Sequence, residues 1–399
     1  MEIVRELCSF EGRLTGTDAE RRAANRLAQR LRNLGRRVEI EPTYVHPQSA
    51  LVQALHCLVA FAGSLAAISS PAVGFALVLL AATSMYLDLN YRLYLFRTLF
   101  FRRGSQNVVS PGADPDAPAR LVIGAHVDAA RSGALYARRR ALRAARLHER
   151  SRIPLGPYRI LFWSMALLLP ILGARMAGVD SNALSVLQLF PTLVLLLGIF
   201  ALVETEISEI VPGANDNASG VAAAISLADE LSADPPRNLD VWVVLDGGEE
   251  CQQEGMRAFV RRHRKDLDRE RTFFLAIDSV GAGDIRFETT AGWLVSYGMD
   301  RRLIELCTAI AEADAENEGL YGAAPLASAS AGDSMPPRLA RMRSIGISCR
   351  DANGAVRNRH QPTDTPDRID PDALERAHAF ALELVRRLDA DLGRTAPAR

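Results

Sequence analysis

The chain has 399 residues, 48% of them hydrophobic, and its 47 Lys and Arg balance 47 Asp and Glu for a formal net charge of zero. That length allows one large domain or two ordinary ones. The five cysteines (Cys8, Cys57, Cys251, Cys307 and Cys349) are odd in number and contain no C-x-x-C pair. This excludes a disulfide framework and a cysteine-based metal site and suits a reducing compartment.

The start, "MEIVRELCSFEGR", is charged and has no apolar core, so it does not read as a signal peptide. Residues 16–35 form an amphipathic helix with Thr/Asp start signals and a Gly stop, followed by a strand over 36–45. Two apolar spans come next, 51–69 and 72–88, joined by "SSPA". The segment "NYRLYLFRTLFFRRG" (90–104) is rich in Arg and aromatics. Strands are predicted over 105–112 and 119–130, the second ending in His126 and Asp128. A second Arg-rich segment, 131–159, leads into spans 160–177 and 184–203, joined by "GVDSNA". The remainder alternates: a helix over 218–232, a strand over 239–250, a helix around "MRAFVRRHR" and a strand over 272–284. A helix from about 301 to 315, a strand over 344–350 and a terminal helix over 370–392 complete the chain.

Each apolar span has about 17–20 residues, enough to cross a ~30 Å hydrocarbon core at 1.5 Å per residue. The spans pair as two transmembrane hairpins, and the Arg-rich segments flank them while the inter-span turns carry no Lys or Arg. The positive-inside rule then puts both termini and every soluble segment in the cytoplasm of an integral membrane protein. Interleaved Leu, Tyr and Phe in the two basic segments point to interfacial amphipathic helices on the lipid bilayer. Because these basic runs abut spans and form no separate basic domain, no nucleic-acid partner is expected.

With the hairpins removed, alternating strands and helices argue for an α/β sandwich with a largely parallel centre. His126, Asp128, Asp216, Glu249, Glu250, Asp278 and His360 all fall at strand ends or in the loops beyond them, where open α/β sheets bind ligands. Imidazole with hard oxygen donors and no thiolate suits zinc, cobalt or manganese. Singly each residue has an ordinary explanation, such as a helix cap for Asp216. The full set is harder to obtain by accident.

The segments "GAHVD" (124–128), "GANDNASG" (213–220), "GEE" (248–250), "AIDSVG" (276–281) and "HQPTDTPDRID" (360–370) resemble the co-catalytic di-zinc aminopeptidase family of clan MH. "GRLTGT" (12–17) is similar to that family's N-terminal stretch. The resemblance covers the chain except roughly 46–104 and 131–207. It implies a three-layer zinc-exopeptidase-like sandwich with a mixed central sheet, made from residues 1–45, 105–130 and 208–399, with hairpins inserted at 46–104 and 131–207. It further implies two zinc ions, one held by His126 and Asp278 and the other by Glu250 and His360, with Asp216 bridging. Cobalt or manganese would be substitutes. Glu249 resembles the general base and Asp128 the partner that orients His126.

In the family fold, strands 36–45, 105–112 and 119–130 would form an antiparallel meander. Both hairpins then leave the sheet at the metal edge, which would favour membrane-associated or hydrophobic peptide substrates. A glutaminyl-cyclase-like single-zinc enzyme, a receptor and a transporter-associated protein are the alternatives. The intact ligand set argues against the first two, and the small number of ionisable groups in the spans against the third.

Overall fold

The structure, a computed structural model, describes residues 1–140, 142, 143, 146, 156–317 and 319–395. Among these, nine strands form one mixed sheet. They are β1 (Glu39–Val45), β2 (Arg103–Ser110), β3 (Ala119–His126), β4 (Leu239–Asp246), β5 (Thr272–Ile277), β6 (Asp284–Ala291), β7 (Tyr297–Gly298), β8 (Ala324–Ala327) and β9 (Arg343–Arg350). The spatial order is β1-β2-β4-β3-β5-β9-β6-β7, with β8 beside β6. The centre, β4-β3-β5-β9, is parallel, as the buried apolar runs of these strands require.

Side chains alternate across the central strands. Leu121, Ile123, Val243 and Leu275 meet the core beneath α1 (Glu2–Cys8), α2 (Asp18–Asn33), α7 (Gly220–Ala233), α9 (Arg301–Glu316) and α11 (Pro371–Thr395). Val122, Val244 and Phe274 instead pack on Met256 and Phe259 of α8 (Glu254–Arg262) on the opposite face. The result is a three-layer sandwich. α2 begins as its sequence indicates, with the Thr17 side chain accepting from Glu20 N–H.

The expected meander is corrected. β2 runs antiparallel to β4, and β3 pairs in parallel with β4 and β5. β4 therefore lies between β2 and β3. It is apolar on both faces and pairs with β3 over eight registers, while β2 reaches it over only three.

Among the described residues, four helices are long and apolar enough to cross a membrane: α3 (Ser49–Ala66), α4 (Pro71–Leu89), α5 (Pro157–Met176) and α6 (Asn182–Ile207). They form a closed bundle in which α3 touches α4 and α6, and α5 touches the same two. Its polar residues point inward and are paired. Gln53 donates to Asp88 at 2.7 Å, His56 lies 2.9 Å from the Ser84 hydroxyl, and Gln188 donates to Ser64. Leu58, Leu79, Leu197 and Phe200 are exposed on the outside.

Both feet of each hairpin are tied to the sheet. Val45 and Arg103 are register partners in β1 and β2, on either side of the first hairpin. Beside the second, Arg131 bridges Ile210, and Val211 N–H donates to the Ala130 carbonyl at 3.0 Å.

Residues 90–104 do not form the interfacial helix expected of them. They contain a short 3₁₀ turn, Phe96–Leu99, and then enter β2. Arg97 is fully buried, with Nε and Nη2 donating to the two Asp88 oxygens at 2.8 and 2.9 Å. A buried charge needs such a partner, and that need overrides the basic character of the run. Part of the segment behind the corresponding expectation for 131–159 (residues 141, 144, 145 and 147–155) lies outside the described residues.

Candidate metal centre

The loops at the C-terminal ends of the parallel strands carry the predicted residues. The turn holding Asp216 starts at Gly213, whose φ is +65°. A Cβ there would lie 2.7 Å from the Asp216 carbonyl oxygen and 2.9 Å from Ala129 Cβ, so only glycine fits. The two asparagines flanking Asp216 knit this turn to the loop after β5. Asn217 Oδ1 accepts from Ser279 N–H at 3.0 Å, and Asn215 Oδ1 accepts from Gly281 N–H at 2.8 Å. Asp364 accepts the backbone N–H groups of Asn215 and Asp216 at 2.8 and 3.1 Å.

His126 ends β3 and Asp128 follows it, Glu249 and Glu250 lie beyond β4, Asp278 follows β5, and His360 lies beyond β9. His126 Nε2 is 3.4 Å from Asp216 Oδ1 and 3.9 Å from Asp278 Oδ1. His360 Nε2 is 3.3 Å from Asp216 Oδ2 and 3.4 Å from Glu250 Oε2. The two oxygens of Asp216 thus face different histidines. Donor atoms of His126, Asp216 and Glu250 lie within 4.8 Å of one another.

The cluster fits a metal. His126 Nε2, Asp216 Oδ2, Glu250 Oε1 and His360 Nε2 are buried and make no hydrogen bond, a costly state unless a cation takes them. Nδ1 of His126 lies 3.1 Å from the Asp128 carbonyl, to which only a protonated Nδ1 can donate, and this leaves Nε2 as a free ligand atom. The Asp128 carboxylate sits farther from that ring, at 3.4 Å. It accepts instead from the Thr15 hydroxyl at 2.5 Å and from the N–H groups of Glu249 and Glu250 at 3.3 and 3.2 Å. Asp128 therefore orients the Glu249–Glu250 loop as well as His126.

Electrostatics describe a sink for positive charge. Burial works against a charged His360, but Glu250 and Asp216 outweigh it and lift its pKa to about 9. Burial likewise opposes an ionised Asp216, yet His126, His360 and Arg359 hold it well below the carboxylate range. Glu249 goes the other way, with burial the chief cause, helped by Glu250 and Asp333, raising it well above its usual value. A cation beside it would offset that rise.

Several residues of the site escaped the sequence reading. Arg359 Nε lies 3.3 Å from Asp216 Oδ2, and its only signal was adjacency to His360. The ring of Tyr136 packs on His360 with centroids 4.1 Å apart. Gln253 Nε2 donates to Glu249 Oε1 at 2.5 Å, while the Tyr91 hydroxyl donates to Gln253 Oε1. Tyr91 follows α4, so a residue of the first hairpin segment is one hydrogen bond removed from the group that holds Glu249.

A mixed sheet with imidazoles and carboxylates converging beyond its parallel strands defines an α/β fold of the zinc-exopeptidase kind. Residues 202–385, just under half of the chain, match the model of peptidase family M28, and this part of the chain is similar to that family. The matched segment includes Asp216, Glu249, Glu250, Asp278 and His360; His126 and Asp128 precede it. Solved structures of similar fold include glutaminyl cyclase from Tannerella forsythia (TM-score 0.55, 15% identity, covering 96% of each chain). A leucine aminopeptidase precursor from Bacteroides thetaiotaomicron is also similar (TM-score 0.53, 16% identity, 96% of this chain and 94% of that one). So is a Zn-dependent exopeptidase from Parabacteroides distasonis (TM-score 0.52, 14% identity, 97% and 95%). No curated protein sequence matches the chain.

Proposed function

We propose that this protein is a membrane-embedded di-zinc aminopeptidase. The observation that carries the di-metal reading is Asp216, whose two oxygens face His126 and His360 separately at 3.4 and 3.3 Å. His126 and Asp278 would hold one zinc, Glu250 and His360 the other, and Asp216 would serve both. Bound there, the two ions would supply Lewis acidity toward the scissile carbonyl and acidify a water.

The protein's own contribution is proton handling and placement. Gln253 occupies Oε1 of Glu249, which leaves Oε2 to take the proton of the attacking water and pass it to the departing amine. Asp128 fixes the backbone of Glu249 and Glu250 from behind.

Membrane insertion is supported by the inside-out distribution in the bundle, with polar pairs within and apolar side chains outside. The Arg-rich flanks favour a cytoplasmic catalytic domain. Membrane-associated or hydrophobic peptides are the proposed substrates.

The test combines metal analysis with a panel of aminoacyl peptides on detergent-purified protein. Two zinc ions per chain and release of free N-terminal amino acids are expected. Glu249→Gln should keep both metals and lower turnover by at least ~100-fold, while Asp216→Ala should lose metal. One metal in active enzyme would overturn the di-metal mechanism. The similarity to glutaminyl cyclases makes cyclisation the second reading, and pyroglutamate formation from an N-terminal glutaminyl peptide would establish it in place of hydrolysis.

A further inference from the structure

A cavity that Glu249, Glu250 and His360 border beside the metal cluster continues onto the apolar bundle. It has a volume of about 970 Å³, with Glu250 and His360 at one side and Leu161 of α5 and Val194, Leu197 and Phe200 of α6 at the other. Leu197 and Phe200 are 68% and 65% exposed. The same side chains thus line the cavity and form the outer surface of the helix pair. The cavity is a trough open on the bundle's outer, apolar side.

Its length is informative. Glu204 and Val194 both line it, and ten residues of helix separate them, ~15 Å at 1.5 Å per residue. That is about half of a ~30 Å hydrocarbon core. Its floor is closed where α5 and α6 meet. There the Leu161 side chain lies over Gly198, with Cδ2 2.4 Å from where a Cβ would stand.

We infer that this trough receives a hydrocarbon chain, of acyl or prenyl type, carried by the peptide substrate and entering sideways from the bilayer. The inference rests on the peptidase reading of the cluster. A peptide backbone is a poor occupant of the deep end, since its N–H and C=O groups would have no partners among Leu161, Val194, Leu197 and Phe200. A single apolar side chain is too short to use ~15 Å of helix. A hydrocarbon chain has the length and carries no polar group to satisfy. Moving such a chain from lipid into the trough exchanges one apolar surrounding for another. The gain is therefore in orientation of the attached amide at the cluster, not in hydrophobic affinity.

The test uses metal-loaded protein in phosphatidylcholine vesicles and one peptide in two forms, with an internal lysine either palmitoylated or acetylated. The readout is the ratio of kcat/KM for the two forms within each protein, which cancels changes common to both substrates. Wild type should favour the palmitoylated form at least about tenfold, the scale of a modest orientation effect. Ala201→Trp and Val194→Trp, which fill the trough at two levels, should each bring the ratio toward one. Two sites guard against one variant failing to fold, with metal content confirming the integrity of each. A wild-type ratio near one would overturn the inference, as would a preference that survives in both variants, since concentration at the bilayer alone would then explain it. If wild type cleaves neither peptide, the peptidase reading falls and the trough with it.

Discussion

The buried Arg97–Asp88 pair offers a severe test of how the first hairpin joins the sheet. Arg97 is 0% exposed and Asp88 1%, and their two hydrogen bonds are 2.8 and 2.9 Å long. Nη2 also donates to Gln252 Oε1, in the loop just after Glu250, and Nη1 lies 3.9 Å from Glu254. Arg97→Met keeps most of the side-chain volume, so cavity formation adds little. It leaves Asp88 charged in a dry site with only Gln53 as a polar partner, at 2.7 Å. Removing one member of a buried pair costs about 3–5 kcal/mol. The double variant Asp88→Asn/Arg97→Met removes the stranded charge and retains an acceptor for Gln53, so most of the loss should return. The assay is denaturant or thermal unfolding in detergent micelles, run as a double-mutant cycle. Turnover should fall in Arg97→Met beyond what the loss of folded protein explains, because Gln252 loses its brace. A loss below about 1 kcal/mol, the range of exposed pairs, would refute the reasoning. So would a double variant no more stable than the single one.

Two further outcomes rest on named contacts and a third on arginine placement. Tyr91→Phe removes the hydroxyl that donates to Gln253 and accepts from Trp293. One lost hydrogen bond on the far side of Gln253 should lower kcat about tenfold with KM and metal content nearly unchanged; an altered KM at constant kcat would place Tyr91 in substrate binding instead. Glu288 is buried, and burial first, then the nearby Asp278 carboxylate, raise its pKa to about 7 despite the Ser334 hydroxyl donating at 2.6 Å. The folded state therefore keeps a proton that the unfolded chain loses near pH 4.5. This group's stability contribution is complete below that pH and is lost by about pH 7, a change of about 3 kcal/mol. Glu288→Gln should flatten that part of the stability–pH curve, and a slope unchanged from wild type would assign it to other groups. Reporters in the 178–183 turn should read as outside and reporters at the C-terminus as cytoplasmic; a C-terminus outside would reverse the orientation drawn from arginine placement.

The seven candidate residues were legible in the sequence because metal chemistry and backbone geometry restrict each position at once. Asp216 needs a turn, the turn needs Gly213 at positive φ, and the flanking asparagines must reach the loop after β5. Such joint requirements leave a signature in eight consecutive residues. Tyr91, Arg97 and Gln253 left none, because their meaning arises from contacts across about 160 residues of chain. An arginine in a basic run reads as solvated until Asp88 is seen beneath it. Strands β6, β7 and β8 at this end of the sheet were also invisible, since β7 has two residues and β8 four, and β6 takes its place by pairing with β9 on one side and with β7 and β8 on the other.

The sheet order shows why a wrong neighbour need not spoil a functional inference. Placing β2 beside β3 was incorrect, because β4 intervenes. Yet β4 is parallel to β3 and antiparallel to β2, so β2 still runs opposite to β3. A parallel strand inserted between two others leaves their relative direction unchanged. The start of β2 and the end of β1 therefore remain at the edge where His126 ends β3, and the first hairpin leaves the sheet beside the metal cluster. The second hairpin is held at the same edge by Arg131 and Ile210. Strand direction, set by which residues must lie at which end, decides where the bundle stands relative to the site; the identity of the intervening strand does not.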